Sequence, residues 1–340
     1  MVSLKDISSA CGYSVATVSK ALNGHKDIGE GTKKLIKMTA EQMGYLPNSI
    51  ARTLKINRSY NLGVLFIDQA CSGLTHDYFA SILDHFKATA EKHGYDITFI
   101  NGSKHRKDGM SYVECCRYKG VDGVIIACVI FEDPEVAELL QSEIPIVTID
   151  YIFNNSISVN SDNIKGVKEL VNYIYGCGHR KIAFIHGEGS TSVTKARLTS
   201  FYKTTEELGL VIPDEYIREV RYRDTKATAA VTEELLNLSN PPTCIMYPDD
   251  FASIGGINAI KAKGLRIPED ISIAGYDGIR LAKYIDPKLT TLKQDTEGMG
   301  RIAAEKLIRL IEKPKSTLSD QIIIPGTLEE GASVRNIDRY

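Results

Sequence analysis

At 340 residues, with 43% apolar and 25% charged side chains, the chain is too long for one small domain and has the make-up of a soluble globular protein of about two or three units. Seven scattered cysteines without a C-x-x-C pair fit a reducing compartment, the leading MVSLKDISSACG lacks a signal-peptide core, and no apolar run nears the ~20 residues of a membrane span, so a cytoplasmic place is expected and a membrane partner is not. The net charge of −2 hides an asymmetry: residues 1–58 carry nine basic and four acidic side chains, a net +5, and the remainder 32 and 39, a net −7, the pattern of a small head that meets a polyanion on a body that does not.

The first predicted helix covers roughly Leu4–Cys11, with Leu4, Ile7 and Ala10 or Cys11 on one face and Gly12 suited to a left-handed exit. Ser14 is placed to cap a second helix, Ser14–Asn23, anchored by Val18, Ala21 and Leu22. A third runs from about Gly31 to Met43, with Leu35, Ile36, Thr39 and Met43 inward, and stops at Gly44. Two helices joined by a tight, Gly-containing turn make a helix-turn-helix. Val15, Ala16, Thr17, Ser19 and Lys20 then project outward between Ser14 and Asn23. Small and hydroxylated residues with one Lys suit a major groove: Lys20 for guanine O6 and N7, Val15 and Ala16 for a thymine methyl, Thr17 and Ser19 for phosphates. A plain packing module has the same helix pattern, and the basic charge of the head favours double-stranded DNA over it.

The stretch YLPNSIARTLKINRSYN interrupts the pattern. Pro47 breaks the chain, Asn48 can cap a two-turn helix over Ser49–Lys55, and Ile50, Ala51 and Leu54 share one side of it. An isolated helix of about eight residues is marginal in water, so this segment should fold only when something packs on it. From Asn61 the rhythm changes to strand-like runs at 62–67, 96–100, 123–128, 145–149, 181–186, 243–247 and 271–276. Amphipathic helices lie between and after them, at about 77–93, 109–118, 162–176, 193–208, 225–238, 249–263 and 295–312. Short apolar strands alternating with helices predict parallel sheets covered on both faces, and some 280 residues of them predict two doubly wound lobes.

In open parallel sheets ligands bind beyond the carboxyl ends of the strands. Asp68, Asp150, Asp249 and Asp277 follow strand-like runs there, and Arg197 lies early on the helix after KIAFIHG. These groups suit ligand hydroxyls or ring nitrogens, and Tyr78 and Phe79 supply an apolar face. A strand-end Asp also serves as a helix cap or turn former, the competing reading for Asp68 and Asp249 above all. His186 is expected as a hydrogen-bonded loop residue. On paper Asp68, Asp150, Asp277 and His186 make a metal-assisted hydrolase site, but there is no H-E-x-x-H, G-x-S-x-G or Walker-type loop, and HGEGSTS lacks the phosphate-binding fingerprint. No catalysis, metal or cofactor is therefore expected.

The segments LKDISSACGYSVATVSKALNG, EQMGYLPNSIARTLK, CGHRKIAFIHG and GYDGIRLAKYIDPKLTTLKQD resemble the signature segments of the LacI/GalR family of bacterial transcription regulators, over nearly the whole chain from about Ser3 to Val334. The resemblance implies an all-α helix-turn-helix domain (1–46), a hinge (47–60), and an α/β, periplasmic-binding-protein-like effector domain (61–340) of two doubly wound lobes. Lobe one is expected at about 61–161 plus 291–323, and lobe two at about 162–290 plus 324–340. It implies a homodimer on a palindromic operator and a small effector, usually a sugar or a nucleoside-type metabolite, and so a regulator, most often a repressor. Leu54 would wedge into a minor-groove step with Ala51 and Lys55 beside it. Effector contacts would fall at Phe79, Arg197 and Asp277, with Asp150 and Asp249. Many relatives have an aromatic where Arg223 stands, next to Tyr222, and the chain has no Trp, which leaves the second aromatic wall open and lets Arg223 favour an anionic ligand. The tail RNIDRY has no leucine heptad, so a dimer is expected rather than a tetramer. The competing readings are a periplasmic-type binding protein without DNA function, and a regulator controlled by a protein partner.

Overall fold

The computed structural model describes residues 2–45, 58–68, 72–101, 109–153, 156–189 and 191–337; the expected hinge helix, with Ala51, Leu54 and Lys55, lies outside them. The chain divides into two compact units, residues 1–59 and 60–340.

The first unit is built from α1 (Leu4–Cys11), α2 (Val15–Leu22) and α3 (Glu30–Gln42). Ser3 and Asp6 form a reciprocal capping box at the start of α1, and Gly12 ends it at φ 72°, which frees the chain to turn at once into α2. Ser14 caps α2, its Oγ accepting from Thr17 N at 3.1 Å. Ile7, Val18, Ala21, Ile36 and Ala40 form the core. On α3 the buried stripe runs through Ile36 and Ala40, with Met43 packed beside it, while Leu35 is 48% exposed, against the expectation that it faces inward; of the two alternatives on α1, Cys11 packs on the core and Ala10 is exposed. Two-turn partner helices cover only a narrow stripe of α3, and a residue 100° off that stripe stays in water.

The second unit holds two six-stranded sheets. The first contains β1 (Asn61–Phe66), β2 (Asp96–Ile100), β3 (Gly123–Ala127), β4 (Ile146–Ile149), β5 (Ile157–Ser161) and β11 (Asp320–Ile324), in the order β11-β5-β4-β3-β1-β2, all parallel. Residues alternate between its two faces. Leu62, Val64, Ile125 and Ala127 meet α4 (Asp77–Lys92) and α11 (Thr296–Glu312), while Leu65, Val124 and Ile126 meet α5 (Tyr112–Lys119) and α6 (Pro134–Leu140). The second sheet contains β6 (Ile182–His186), β7 (Ile217–Glu219), β8 (Cys244–Met246), β9 (Ser272–Asp277), β10 (Thr290–Lys293) and β12 (Thr327–Glu329), in the order β12-β10-β9-β8-β6-β7, with only the β10–β12 pair antiparallel. Its faces are covered by α7 (Asn163–Gly176) with α8 (Ser192–Glu207), and by α9 (Thr225–Leu236) with α10 (Asp250–Ala262).

The chain passes from one sheet to the other after β5, returns between β10 and α11, and passes again between β11 and β12. The second passage comes after Lys293 and not at Thr290, because β10 pairs with β9 from Thr290 to Lys293 and so completes the second sheet first. In each sheet the strand order reverses once in the core, between β1 and β3 in the first and between β6 and β8 in the second. The helices there leave on opposite faces, and a crevice opens at the strand ends.

Candidate functional site

On the first unit the exposed face of α2 is the feature to explain. Val15 is 43% exposed, Ala16 and Lys20 are exposed, and Thr17 and Ser19 are half-buried. Much of this polar surface is already ordered. Ser14 Oγ lies 2.8 Å from Thr17 Oγ1, Asn23 Nδ2 donates to Ser19 O at 2.7 Å, and Lys20 Nζ pairs with Asp27 at 2.6 Å. The hydroxyls and the amide are thus held at the two ends of a short rigid helix, with the side chains of Val15, Ala16 and Lys20 outermost. For Lys20 to meet any other partner it would have to leave Asp27, an exposed pair that is cheap to break.

In the second unit, the eight residues expected around a ligand, Asp68, Tyr78, Phe79, Asp150, Arg197, Arg223, Asp249 and Asp277, all line one cavity of about 480 Å³. The topology brings them there. Asp68 and Asp150 follow β1 and β4, Tyr78 and Phe79 open α4, Arg197 is on α8 beyond β6, Asp249 follows β8, and Asp277 ends β9. Five non-glycine residues among those described have left-handed backbone, and four of them, Cys128, Asp150, Arg223 and Asp277, line this cavity. Such backbone is costly for residues with a Cβ and gathers where surroundings enforce it, typically at functional sites.

Arg197, 5% exposed, is the anchor of the floor. Its Nε donates to Asn163 Oδ1 at 2.7 Å and one terminal nitrogen to Pro248 O at 2.8 Å, while the other lies 3.7 Å from Asp277 Oδ1. The guanidinium also lies over Tyr276, 3.7 Å from the ring centre. Burial works against its charge, but Tyr222, Tyr276, Asp277 and Tyr78 more than offset this and raise its pKa. Asp277 accepts from Gln294 Nε2 at 2.6 Å. Burial, helped by Asp249 and Asp150, still pushes its carboxyl up to about 7, because one long ion pair and one hydrogen bond do not repay the lost hydration. Asp150 accepts from Tyr78 Oη at 2.6 Å and from Ser161 N at 2.9 Å, and burial raises its pKa in spite of both bonds.

The other two carboxylates act as helix cap and turn former. Asp249 caps α10, accepting from Ala252 N at 2.7 Å and from Arg223 N at 2.9 Å. Asp68 Oδ2 closes a turn onto Ser72 N, Ser72 Oγ and Gly73 N. Both still border the cavity. Arg223 is engaged differently from the expectation. Its guanidinium reaches Asp77 Oδ2 at 3.1 Å and lies 4.1 Å from the centre of the Phe251 ring, so a carboxylate of the chain itself takes the charge that was read as favouring an anionic ligand. His186 is hydrogen-bonded as expected, its Nδ1 2.7 Å from Gly187 O, but it is the buried last residue of β6 rather than a loop residue, and it is not among the residues that line the cavity.

Several lining residues escaped the sequence reading. Phe131 and Tyr151 stack in parallel at 3.6 Å and give the cavity an aromatic wall without Trp, with Tyr222 as a further aromatic. They lie on connections with no periodicity to single them out. Gln294, the partner of Asp277, follows the unpredicted β10. Asp250 lies beneath the floor, fully buried, accepting from Thr291 Oγ1 at 2.6 Å and Ile279 N at 2.9 Å. It thereby fixes the start of the loop that follows Asp277. His76, 8% exposed, borders the cavity as well, and burial with the nearby Arg223 charge holds its pKa down to about 4, a neutral imidazole.

Residues 3–48 match the profile of bacterial regulatory proteins of the lacI family, and residues 171–334 that of a periplasmic binding protein-like domain. Among curated relatives, the probable HTH-type transcriptional repressor ExuR of Bacillus subtilis (strain 168) is 32% identical over 319 residues, covering 93% of each chain. The HTH-type transcriptional repressor PurR of Glaesserella parasuis is 28% identical over 347 residues, covering 100% of each. Among solved structures, a lac repressor dimer bound to operator and the anti-inducer ONPF superposes with a TM-score of 0.82 at 23% identity, over 98% of this chain and 99% of that one. No helix among the described residues is long and apolar enough to cross a membrane.

Proposed function

The chain belongs to the lacI family of bacterial regulatory proteins, and from that premise we propose a transcriptional repressor that grips a palindromic operator as a homodimer. A small molecule, a sugar or sugar derivative, held between the lobes, switches it. The carrying observation is the presence in one chain of a basic three-helix unit with an outward polar helix and a separate α/β unit with a cavity whose largely apolar walls carry charged and polar groups. In this reading Ser14–Asn23 enters the major groove, with Val15, Ala16 and Lys20 at base edges and Ser14, Thr17, Ser19 and Asn23 toward phosphates. Ala51, Leu54 and Lys55 act in the minor groove at the operator centre.

The effector assignment rests on chemistry. Asp277 and Arg197 place an acceptor and a donor 3.7 Å apart on the floor, and Asp150 adds a second acceptor. Phe79 and the Phe131–Tyr151 pair give flat apolar walls. Hydroxyls on a compact ring with one apolar face fit that pattern, and each carboxylate already has a partner that a hydroxyl can supplement. Closure of the lobes around the ligand changes the spacing of the two hinge segments and tips them between folded and disordered, a coupling of about 1–3 kcal/mol. The working place is the cytoplasm, where operator DNA lies. The lacI-type head sets aside a periplasmic-type protein without DNA function, and the relatives named as repressors set aside an enzyme.

The test joins selection of duplexes from a random pool with a thermal-shift screen of sugars, sugar phosphates and nucleosides. The expected result is a two-fold symmetric site, a steep salt dependence, and one ligand class that changes the affinity. Leu54→Ala should weaken the selected site by tenfold or more with the fold intact. No preference among duplexes at low ionic strength, with every ligand tried, overturns the reading. A preference with no ligand response points to control by a protein partner.

A further inference from the structure

Asp68, His76 and Cys128 come from three separate places, the end of β1, the residue before α4 and the end of β3. The topology nevertheless gathers them. β1 and β3 are parallel neighbours, with Phe66 opposite Ala127, so Asp68 and Cys128 leave side by side at the reversal of strand order. Each of the three offers one ligand-type atom, and these atoms lie within 4.8 Å of one another. Cys128 Sγ is 4.0 Å from Asp68 Oδ1, while Asp68 Oδ2 is the oxygen used in the turn onto Ser72 and Gly73. His76 is 8% exposed, and its Nδ1 has no hydrogen-bond partner among the described residues. A buried imidazole nitrogen is rarely left in that state. Cys128 is held in left-handed backbone, φ 55°, where a residue with a Cβ persists only if its surroundings demand it.

We propose that Asp68, His76 and Cys128 form a binding site for a divalent transition-metal ion, zinc by chemistry, on the first-lobe wall of the cavity. One thiolate, one imidazole and one carboxylate are borderline-soft donors. They suit zinc and its cobalt surrogate, and do not suit calcium or magnesium, which take oxygen ligands. Zinc bonds of about 2.0–2.3 Å need the donor atoms to draw together by about 1 Å, within reach of side-chain rotation. Binding replaces the Cys128 thiol proton, which leaves to solvent, so the ion and its two anionic ligands are neutral together. All three residues line the cavity, so the fourth position opens into it. Local spacing hides the set, since no two of its members stand in a short motif, and the expectation of no metal rested on such motifs. The site requires neither operator nor dimer. Only its consequence, that the open position takes a hydroxyl or carboxylate of the effector, rests on the reading of the cavity above.

The test uses the full chain, reduced and stripped by chelator, titrated with Co(II) and then Zn(II) salts in the absence of DNA. The expected result is one Co(II) per chain with a sulfur-to-cobalt charge-transfer band, displaced by Zn(II), and a melting point raised by the metal. Cys128→Ser should abolish the band and His76→Gln should weaken binding by tenfold or more, with folding followed by circular dichroism. Absence of the band in the unmodified chain overturns the proposal. So does a band of full intensity and stoichiometry in Cys128→Ser or in His76→Gln. If Cys128→Ser fails to fold, Asp68→Asn with His76→Gln decides by the same criterion. Operator binding, measured separately on the metal-free chain, reports on the repressor reading alone.

Discussion

Asp277 stands in left-handed backbone at the end of β9, and burial raises its pKa to about 7 from a usual value of 3.8. The native state therefore holds a proton that the unfolded chain has lost between about pH 4 and pH 7. Its contribution to stability is complete below the unfolded value and disappears as pH rises through the folded one. At about 1.4 kcal/mol per unit this is a few kcal/mol across the window. Asp150 and Asp249 are raised in the same sense, also by burial. The melting point of the ligand-free chain should fall from pH 5 to pH 8, and Asp277→Asn should remove a large part of that fall. Superimposable pH profiles for the two proteins would refute this account. In the head, Lys20 and Asp27 make a comparable test of reach. Lys20→Ala should cost about 1–3 kcal/mol of operator binding if the ammonium meets a guanine edge. Asp27→Asn, which releases Lys20, should tighten it, and an unchanged affinity in both variants means that Lys20 touches no base.

At the level of elements, the residues beside the strand ends were legible because an apolar run followed by Asp marks where a parallel strand meets solvent. Asp68, Asp150, Asp249 and Asp277 were found that way. The strands without such runs were not. β5 reads ISVNS, β10 TTLK and β12 TLE, short and half polar because each sits at a sheet edge or is completed by a partner distant in sequence. β11 begins 159 residues after β5's last residue, so no local pattern announces their pairing. α6 has seven residues, too few to show a helical period. The same blindness hid Gln294, Phe131 and Tyr151. One element-level contact can be tested directly. A Cβ on Gly187, just after β6, would lie 2.0 Å from the Tyr222 ring, whose hydroxyl is 2.9 Å from Thr194 Oγ1. That ring would have to shift toward the cavity it borders. Gly187→Val should therefore cost about 1–3 kcal/mol of stability and weaken effector binding by displacing Tyr222. A variant with unchanged melting point and ligand affinity would show that the wall is softer than the geometry says.

At the scale of the whole α/β unit, each sheet is sandwiched by its own helices and owns its own core, an architecture suited to two rigid lobes that shift about the cleft between them. Besides the three chain passages, side chains among the described residues also join the two lobes, Ser192 Oγ reaching Asp150 O at 3.5 Å. Arg223, beyond β7 in the second lobe, pairs with Asp77 at the start of α4 in the first, at 3.1 Å, and reaches Thr75 O at 3.4 Å. Asp77 is 41% exposed and water screens the pair, so its share of stability is about 1 kcal/mol or less. Because the pair joins residues of the two lobes, its effect is expected on how firmly the lobes hold a ligand between them rather than on folding. Asp77→Ala should thus leave the melting point nearly unchanged while effector dissociates about three- to tenfold faster. Arg223→Ala should do the same, with an added loss from its contact with Phe251. The double variant should be no faster than Arg223→Ala alone, because without Arg223 the described residues leave Asp77 no ion-pair partner across the cleft, whereas Arg223 keeps its contact with Thr75 O when Asp77 is lost. Additive effects would mean that the two side chains act on the ligand separately and that closure is set by other contacts, such as those proposed for Arg197, Asp150 and Asp277.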